Sequence, residues 1–372
     1  MPHQRHSALM LELEREPGSH AVKNKARYCL VKRSSFTGFM MALALGRSAL
    51  ALDLPLSSGG FEPQRSATAD EAGATPVAGA TLSKVPPTIE PPMGTKAAEM
   101  TAKVRGGKPR SAKAAAAAAR AAADVEPQAS GRFWELQLNL CNSGYAACYA
   151  HGNAIIEGGD LIYYLRPNMV TLNEICLNDL SSYLLPSLGE TWPGDWVYFA
   201  FMPAIDKRTN AAYKCKNGYD FGNAVMGRVP AASYQGVNAW GGQYIPQDGG
   251  NEQRTFSCAH AKGDHFGCAT HLSRSEPKAL AQCRALMFDA VPYIRSVEGV
   301  SGRTIVGGDF NLDYDTSDPE NVQRCVPKGY TRKGDGSVQH VIFSNDLAFR
   351  GTATYGLTYT DHDGFLVRLT MP

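Results

Sequence analysis

Twelve residues, Arg303 to Tyr314, read RTIVGGDFNLDY and set an acid and an amide two positions apart just after a short apolar run. Thr304, Ile305 and Val306 have the character of a buried strand. Gly307-Gly308 lets the backbone leave it without side-chain hindrance, so Asp309 and Asn311 emerge together at its end. A carboxylate and a carboxamide at the mouth of a sheet can hold a hard cation and a phosphate oxygen. Gly, Asp and Asn are also what turns use, so GDFN alone reads equally well as a turn. The chemical reading gains weight from other apolar runs that end in polar groups of the same kind: Asn139, Asn173-Glu174, Thr270-His271 and Asp361-His362.

Each of these ends needs an element to carry it. In FWELQLNL, Trp134, Leu136, Leu138 and Leu140 alternate with Glu135, Gln137 and Asn139, the period of a half-buried strand that delivers Asn139 to its end. NMVTLNEIC reads as a strand ending at Asn173-Glu174, followed by a short helix in LNDLSSYLL. WVYFAFMP, Trp196 to Pro203, is a strong strand, with YDFGNAVMGRV, Tyr219 to Val229, as its neighbour. A Gly-rich loop is expected between Ser233 and Gln247, its Tyr234, Trp240 and Tyr244 packed on their own domain or, in the alternative, meeting bases or a lipid interface. FSCAHAKGDHFGC is symmetric about Gly263, which sets Cys258 opposite Cys268 in a hairpin and predicts a disulfide between them. Ser275 and Pro277 open a helix running to about Arg295, with Ala279, Leu280, Cys283, Leu286, Met287 and Ala290 on one face. VQHVIFSNDLAF gives a further strand, and Asp361-His362 sit between Tyr359 and a closing strand, Phe365 to Leu369.

The net charge of +2 over 372 residues hides an asymmetry. Residues 1–130 carry 17 Lys and Arg against 11 Asp and Glu, and residues 131–372 carry 20 against 24. A net-negative region suits a site that gathers metal ions and argues against a broad, sequence-independent grip on nucleic acid. Eight of the nine cysteines fall in that region and none forms a CxxC pair, which argues against a zinc ribbon and for disulfides made in an oxidising compartment. Residues 1–51 combine a long basic stretch, the apolar run FTGFMMALALG and a small-x-small site in Ser48-Ala49-Leu50-Ala51, the pattern of an extended signal region. The apolar run is too short to span a bilayer. Residues 52–130 are rich in Ala and Pro and nearly free of aromatics, so they read as a disordered linker or propeptide. Residues 131–372 are expected to form the folded domain of a secreted, extracellular monomer with no transmembrane segment.

Taken in chain order, LQLNLCN, TLNEIC, ATHL, GGDFN and TDHD resemble the motifs of the endonuclease/exonuclease/phosphatase superfamily, the DNase I-like proteins, over about residues 131–372. The resemblance implies a four-layer αββα sandwich of two mostly antiparallel sheets, with the strand ends meeting in one cleft. It also implies that Asn139, Glu174 and Asp361 bind Mg²⁺, with Mn²⁺ or Ca²⁺ as alternatives. Asp309 would orient the attacking water or bind a second ion, Asn311 would hold a phosphate oxygen, His362 would act as general base, and His271 would donate a proton to the phosphoryl or leaving group. The function so implied is metal-dependent phosphodiester hydrolysis by a nuclease acting on nucleic acid. The alternatives are a sphingomyelinase-like phospholipase or phosphatase, with phospholipid as substrate, and a catalytically silent binding protein. Two residues depart from the family pattern. Asn173 stands where the family has Gln, and Gln339 stands where an Asp orients a histidine, a role for which Asp346 is the candidate substitute. The net charge of −4 favours the lipid alternative unless Arg228, Arg254, Lys262 and Arg274 cluster locally.

Overall fold

The computed structural model describes residues 75–93, 116, 119–120 and 131–371. In chain order its strands are β1 (Thr75–Val77), β2 (Ala80–Val85), β3 (Thr88–Glu90), β4 (Arg132–Asn139), β5 (Met169–Cys176), β6 (Asp195–Pro203), β7 (Ile205–Asp206), β8 (Ala211–Ala212) and β9 (Phe221–Pro230). They continue with β10 (Val237–Tyr244), β11 (Glu252–Gln253), β12 (Thr255–Ala261), β13 (His265–His271), β14 (Thr304–Asp309), β15 (Tyr330–Gly334), β16 (Gln339–Ser344), β17 (Ala348–Tyr355) and β18 (Gly364–Thr370). Helix α1 is Asn153–Leu165, and two longer helical runs are α2, residues 177–191, and α3, residues 276–298.

One large sheet has the order β17-β18-β4-β5-β9-β6-β3 and the other β1-β2-β10-β12-β13-β14-β16-β15, with β11-β7-β8 as a small third sheet. Nearly all neighbours are antiparallel. The two exceptions, β4 with β5 and β13 with β14, lie inside the two sheets. Parallel neighbours need a crossover, and α1 and α3 supply it. The helices then cover the outer faces. α1 and α2 pack Leu161, Ile162, Leu184 and Leu188 on Leu136, Leu138 and Leu172, while α3 packs Leu286 and Ile294 with Phe256, Phe266 and Val306. Between the sheets lie Phe133, Val225, Ala259, Ala269, Ile305 and Val341. The architecture is a four-layer αββα sandwich, the fold class expected from the motifs.

Gly307 and Gly308 matter for a different reason from the expected freedom to turn. A Cβ on Gly307 would lie 2.3 Å from Thr171 Oγ1 in the facing sheet, and one on Gly308 would lie 1.9 Å from the carbonyl oxygen of Thr270 on β13. Without side chains, β14 approaches β5 and β13 closely enough to bring the two parallel pairs together.

Three expectations need correction. β4 is buried along its whole length, not half-buried, because Glu135, Gln137 and Asn139 face the second sheet instead of solvent. The disordered linker over 52–130 does not hold for residues 75–90. β2 pairs with β10 and β3 pairs with β6, so one segment adds strands to both sheets, with Ala80 and Leu82 buried. Its alternation is brief and punctuated by Pro86-Pro87, which is why it reads as too apolar-poor to fold. The remainder of 52–130, apart from residues 91–93, 116 and 119–120, and all of the signal region at 1–51 lie outside the described residues.

The Gly-rich loop is mostly the strand β10. Trp240 and Tyr244 are buried, Trp240 Nε1 donates to Glu298 Oε1 at 2.8 Å, and Tyr234 stacks on Trp196 at 4.2 Å. The aromatics therefore pack on their own domain. Four disulfides join Cys141 to Cys148, Cys176 to Cys215, Cys258 to Cys268 and Cys283 to Cys325. Cys258 and Cys268 face each other across the β12–β13 hairpin as its symmetry requires. Among the described residues no helix is long and apolar enough to cross a membrane.

Candidate active site

Both parallel pairs run toward the same end of the sandwich. Asn139 and Asn173 stand opposite each other where the pairing of β4 with β5 ends, and His271 and Asp309 do so where β13 and β14 finish. The antiparallel neighbours β16 and β18 begin there, with Gln339 opposite Asp309 and Phe365 opposite Gln137. Register on β5 breaks between Leu172 and Ile175, and Glu174 takes a left-handed backbone with φ of 56°. A bulge of this kind re-aims a side chain. Cys141 at φ 46° and Asn311 at φ 48° share the same conformation, so three of the six described non-glycine residues with positive φ surround one point. Each costs about 1–3 kcal/mol, a strain that collects at functional sites.

The Asn139 side chain holds the site together. Its Nδ2 donates to Glu174 Oε1 at 3.2 Å and to Asp309 Oδ2 at 3.0 Å, so one amide bridges two carboxylates from different sheets. Two imidazoles approach the same oxygen of Asp309, His271 Nε2 at 3.6 Å and His362 Nε2 at 3.5 Å. Asn311 is tied to that carboxylate by its backbone, whose N–H donates to Asp309 Oδ1 at 3.0 Å. Its side-chain Nδ2 donates to the carbonyl of Leu272 at 2.9 Å. Asn139, Glu174, His271, Asp309, Asn311 and His362 are thus brought together.

Asp361 stands at the rim. Its carboxyl is 61% exposed, lies 3.8 Å from His362 Nε2, and has no hydrogen bond or ion pair to Glu174 among the described residues. The loop that carries it is anchored from behind. Thr360 Oγ1 donates to the Asn139 carbonyl at 2.9 Å, and the buried carboxylate of Glu157 on α1 accepts from the N–H groups of Thr358 and Tyr359.

Burial sets the electrostatics. Desolvation raises the pKa of Glu174 against the opposing bond from Asn139, and raises that of Asp309 against the nearby His362. Desolvation also pushes His271 well below the ordinary imidazole value, with the Arg254 guanidinium acting in the same sense. Arg254 Nη1 donates to Glu252 Oε1 at 2.7 Å and lies 3.1 Å from His271 Nδ1. A guanidinium has no acceptor, so Nδ1 of His271 accepts and the imidazole proton sits on Nε2, toward Asp309. Two oxygen-only carboxylates, Asp309 buried and Glu174 half-buried, bridged by a neutral amide form a donor set that fits a hard divalent cation, and their raised pKa values mark negative charge that such a cation would stabilise.

The two departures from the family pattern resolve differently from expectation. Asn173 does not reach into the site. Its Oδ1 accepts from the Asp309 N–H and from Gln137 Nε2, both at 2.8 Å, and its Nδ2 donates to Asn223 Oδ1 and the Thr270 carbonyl, both at 2.9 Å. Gln339 is likewise used internally, donating to the Asp363 carbonyl at 2.7 Å. Asp346 cannot replace an acid here, because it caps the opposite end of β14 by accepting from the Arg303 N–H. The supposed basic cluster divides. Arg254 is in the site and the Arg274 charge acts on His271, but Arg228 is paired with Asp195 and Lys262 follows β12 at the far end. Gln137, Glu157, Asn223 and Glu252 are the supporting residues that sequence reasoning did not assign, and Arg254 was read only as part of a basic cluster and not as the partner of His271. Only Gln137, two positions before Asn139 on the same strand face, carried a signal that could have exposed it.

No family model matches this sequence and no curated protein matches it. Solved structures do. The human Nocturnin catalytic domain with bound sulfate is 16% identical, with a TM-score of 0.45, over 66% of this chain and 96% of that one. An endonuclease/exonuclease/phosphatase family protein from Bacteroides thetaiotaomicron is 14% identical, with a TM-score of 0.46, over 65% and 95%. Truncated TDP2 from Caenorhabditis elegans is 13% identical, with a TM-score of 0.41, over 64% and 98%. Similarity at this level leaves substrate and chemistry to the site itself. The layer order, the two parallel pairs and the junction of their ends define a four-layer αββα sandwich.

Proposed function

We propose that this chain is a divalent-metal-dependent phosphodiester hydrolase, a secreted nuclease acting on nucleic acid. The observation that carries the proposal is the Asn139 amide bonded to both Glu174 and Asp309, with His271 and His362 within 3.6 Å of the same Asp309 oxygen. Glu174 and Asn139 would hold Mg²⁺, or Mn²⁺ or Ca²⁺ in its place, with Asp309 beside them and Asp361 at the rim. The ion supplies offset of negative charge on phosphorus and on the leaving oxygen.

The chain's own groups supply the proton movements. His362 Nε2 accepts a proton from the attacking water, and the imidazolium so formed is stabilised by Asp309 Oδ2 at 3.5 Å and Asp361 Oδ1 at 3.8 Å. His271, kept neutral by burial and by Arg254, presents its Nε2–H to the phosphoryl or leaving oxygen. Four disulfides support synthesis in an oxidising compartment.

The phospholipase alternative loses its suggested membrane contact, since Trp240 and Tyr244 are core residues. The silent-protein alternative loses half its motive, because Asn173 organises the site from behind. The test is conversion of supercoiled plasmid by the full chain with Mg²⁺, repeated with EDTA and with Asp309→Ala, beside choline phosphate release from sphingomyelin vesicles. Metal-dependent nicking that Asp309→Ala abolishes is expected. Choline phosphate release without nicking, or an Asp309→Ala protein as active as the parent, would overturn the proposal.

A further inference from the structure

Among the eight described cysteines, seven are at most 2% exposed, and Cys148 alone is half-buried. Its disulfide to Cys141 closes a short loop directly after β4, against the candidate active site. The Cys141 N–H donates to Asn139 Oδ1 at 3.2 Å, and the next residue's N–H donates to the Glu174 carbonyl at 2.8 Å. One carboxylate oxygen of Asp361 and both sulfurs lie within 4.8 Å of one another, the one group of three metal-ligating side chains so close among the described residues. While the sulfurs are bonded to each other they cannot act as thiolate ligands. Once separated, they are two soft donors beside a carboxylate.

We propose that the Cys141–Cys148 disulfide is the reducible one of the four, and that its reduction creates a Zn²⁺ site made of Cys141, Cys148 and Asp361. A dithiol is the reductant. One of its thiolates attacks the accessible Cys148 Sγ, the protein S–S bond breaks, and Cys141 leaves as a thiolate. The second sulfur of the dithiol then attacks the mixed disulfide, closing a cyclic disulfide and releasing Cys148. Two electrons and two protons pass to the protein, and the dithiol is oxidised. Zn²⁺ displaces the thiol protons and takes two sulfurs and one carboxylate oxygen, with water completing four-coordination. Mg²⁺ is not competitive for this set because thiolates are soft ligands. Where the proposed hydrolysis holds, zinc capture also draws Asp361 away from His362, but the site itself does not depend on that reading.

The experiment uses the full oxidised chain. Limiting dithiol is added, free thiols are alkylated, and peptides are assigned by mass. In parallel, reduced protein freed of dithiol under anaerobic conditions is titrated with Co²⁺, which reports thiolate ligation by near-ultraviolet charge-transfer absorption, and Zn²⁺ is used to displace it. The expected result is alkylation of Cys141 and Cys148 before any other cysteine, and one Co²⁺ per chain only after reduction. Affinity falls about tenfold or more in Asp361→Asn, which retains the disulfide and so reports on the carboxylate independently of folding. Cys141→Ser with Cys148→Ser removes the band. Earlier reduction of another disulfide, no band after reduction, or a band indifferent to Asp361→Asn would each overturn the proposal.

Discussion

Glu135 is fully buried between the two sheets, four residues before Asn139 on the same strand. One of its oxygens accepts from Thr171 Oγ1, and the other has no hydrogen-bond partner among the described residues. Burial pushes its pKa from the ordinary 4.5 up to about 8, with the Thr171 bond opposing. A raised carboxyl pKa means that between pH 4.5 and about 8 the folded chain binds a proton that the unfolded chain has released. Stability therefore falls as pH rises through that window. At about 1.4 kcal/mol per pH unit, the loss approaches about 4–5 kcal/mol on the alkaline side. Glu135→Gln keeps the shape and the acceptor but cannot ionise. Urea unfolding of both proteins at pH 5, 7 and 9, with disulfides intact, isolates the effect, because all other groups titrate alike in the pair. The Gln protein should gain relative to the parent by about 4 kcal/mol between pH 5 and 9. A difference that stays flat with pH would refute the assignment of a dry, proton-retaining carboxyl at this position.

Two further outcomes follow from the supporting residues. Asn173→Ala leaves the Asp309 N–H and Gln137 Nε2 without their acceptor; two orphaned buried donors should cost about 2–5 kcal/mol by denaturant unfolding. Arg254→Ala removes the donor that fixes the His271 tautomer, so kcat should fall on the order of tenfold or more with KM little changed, and an unaltered kcat would show that Arg254 does not position the imidazole.

Much of the site was legible because its residue types sit where apolar runs stop. Asp309 follows TIVGG, Glu174 follows VTLN, and His271 follows GCAT, and strand ends that share a sheet direction share an edge. Less legible was anything whose signal is the same in two environments. Strict alternation in FWELQLN fits a strand facing water on one side, and fits equally a strand facing a second sheet through polar groups; only the partner, Thr171 with Gly307, decides between them. Residues 75–90 hid for the opposite reason. Their apolar content is too low to fold alone, and they are ordered by pairing with two strands already in place, β10 and β6. Glu252 carried no pattern, and Arg254 only its charge, since a salt bridge two residues apart becomes meaningful only when β13 sets His271 beside it.

The departures at Asn173 and Gln339 belong to a wider choice of neutral groups. Gln137, Asn173, Asn223 and Gln339 form a chain of amides beneath Glu174 and Asp309, each both donating and accepting. Amides satisfy buried backbone groups without the desolvation cost of an ion, which for a charge taken out of water amounts to several kcal/mol. With the floor of the site neutral, its unbalanced charge is left to Glu174 and Asp309, whose raised pKa values follow from that same dry floor. A floor built with one more carboxylate would have spread the negative charge; this one concentrates it on the two oxygens that Asn139 holds together.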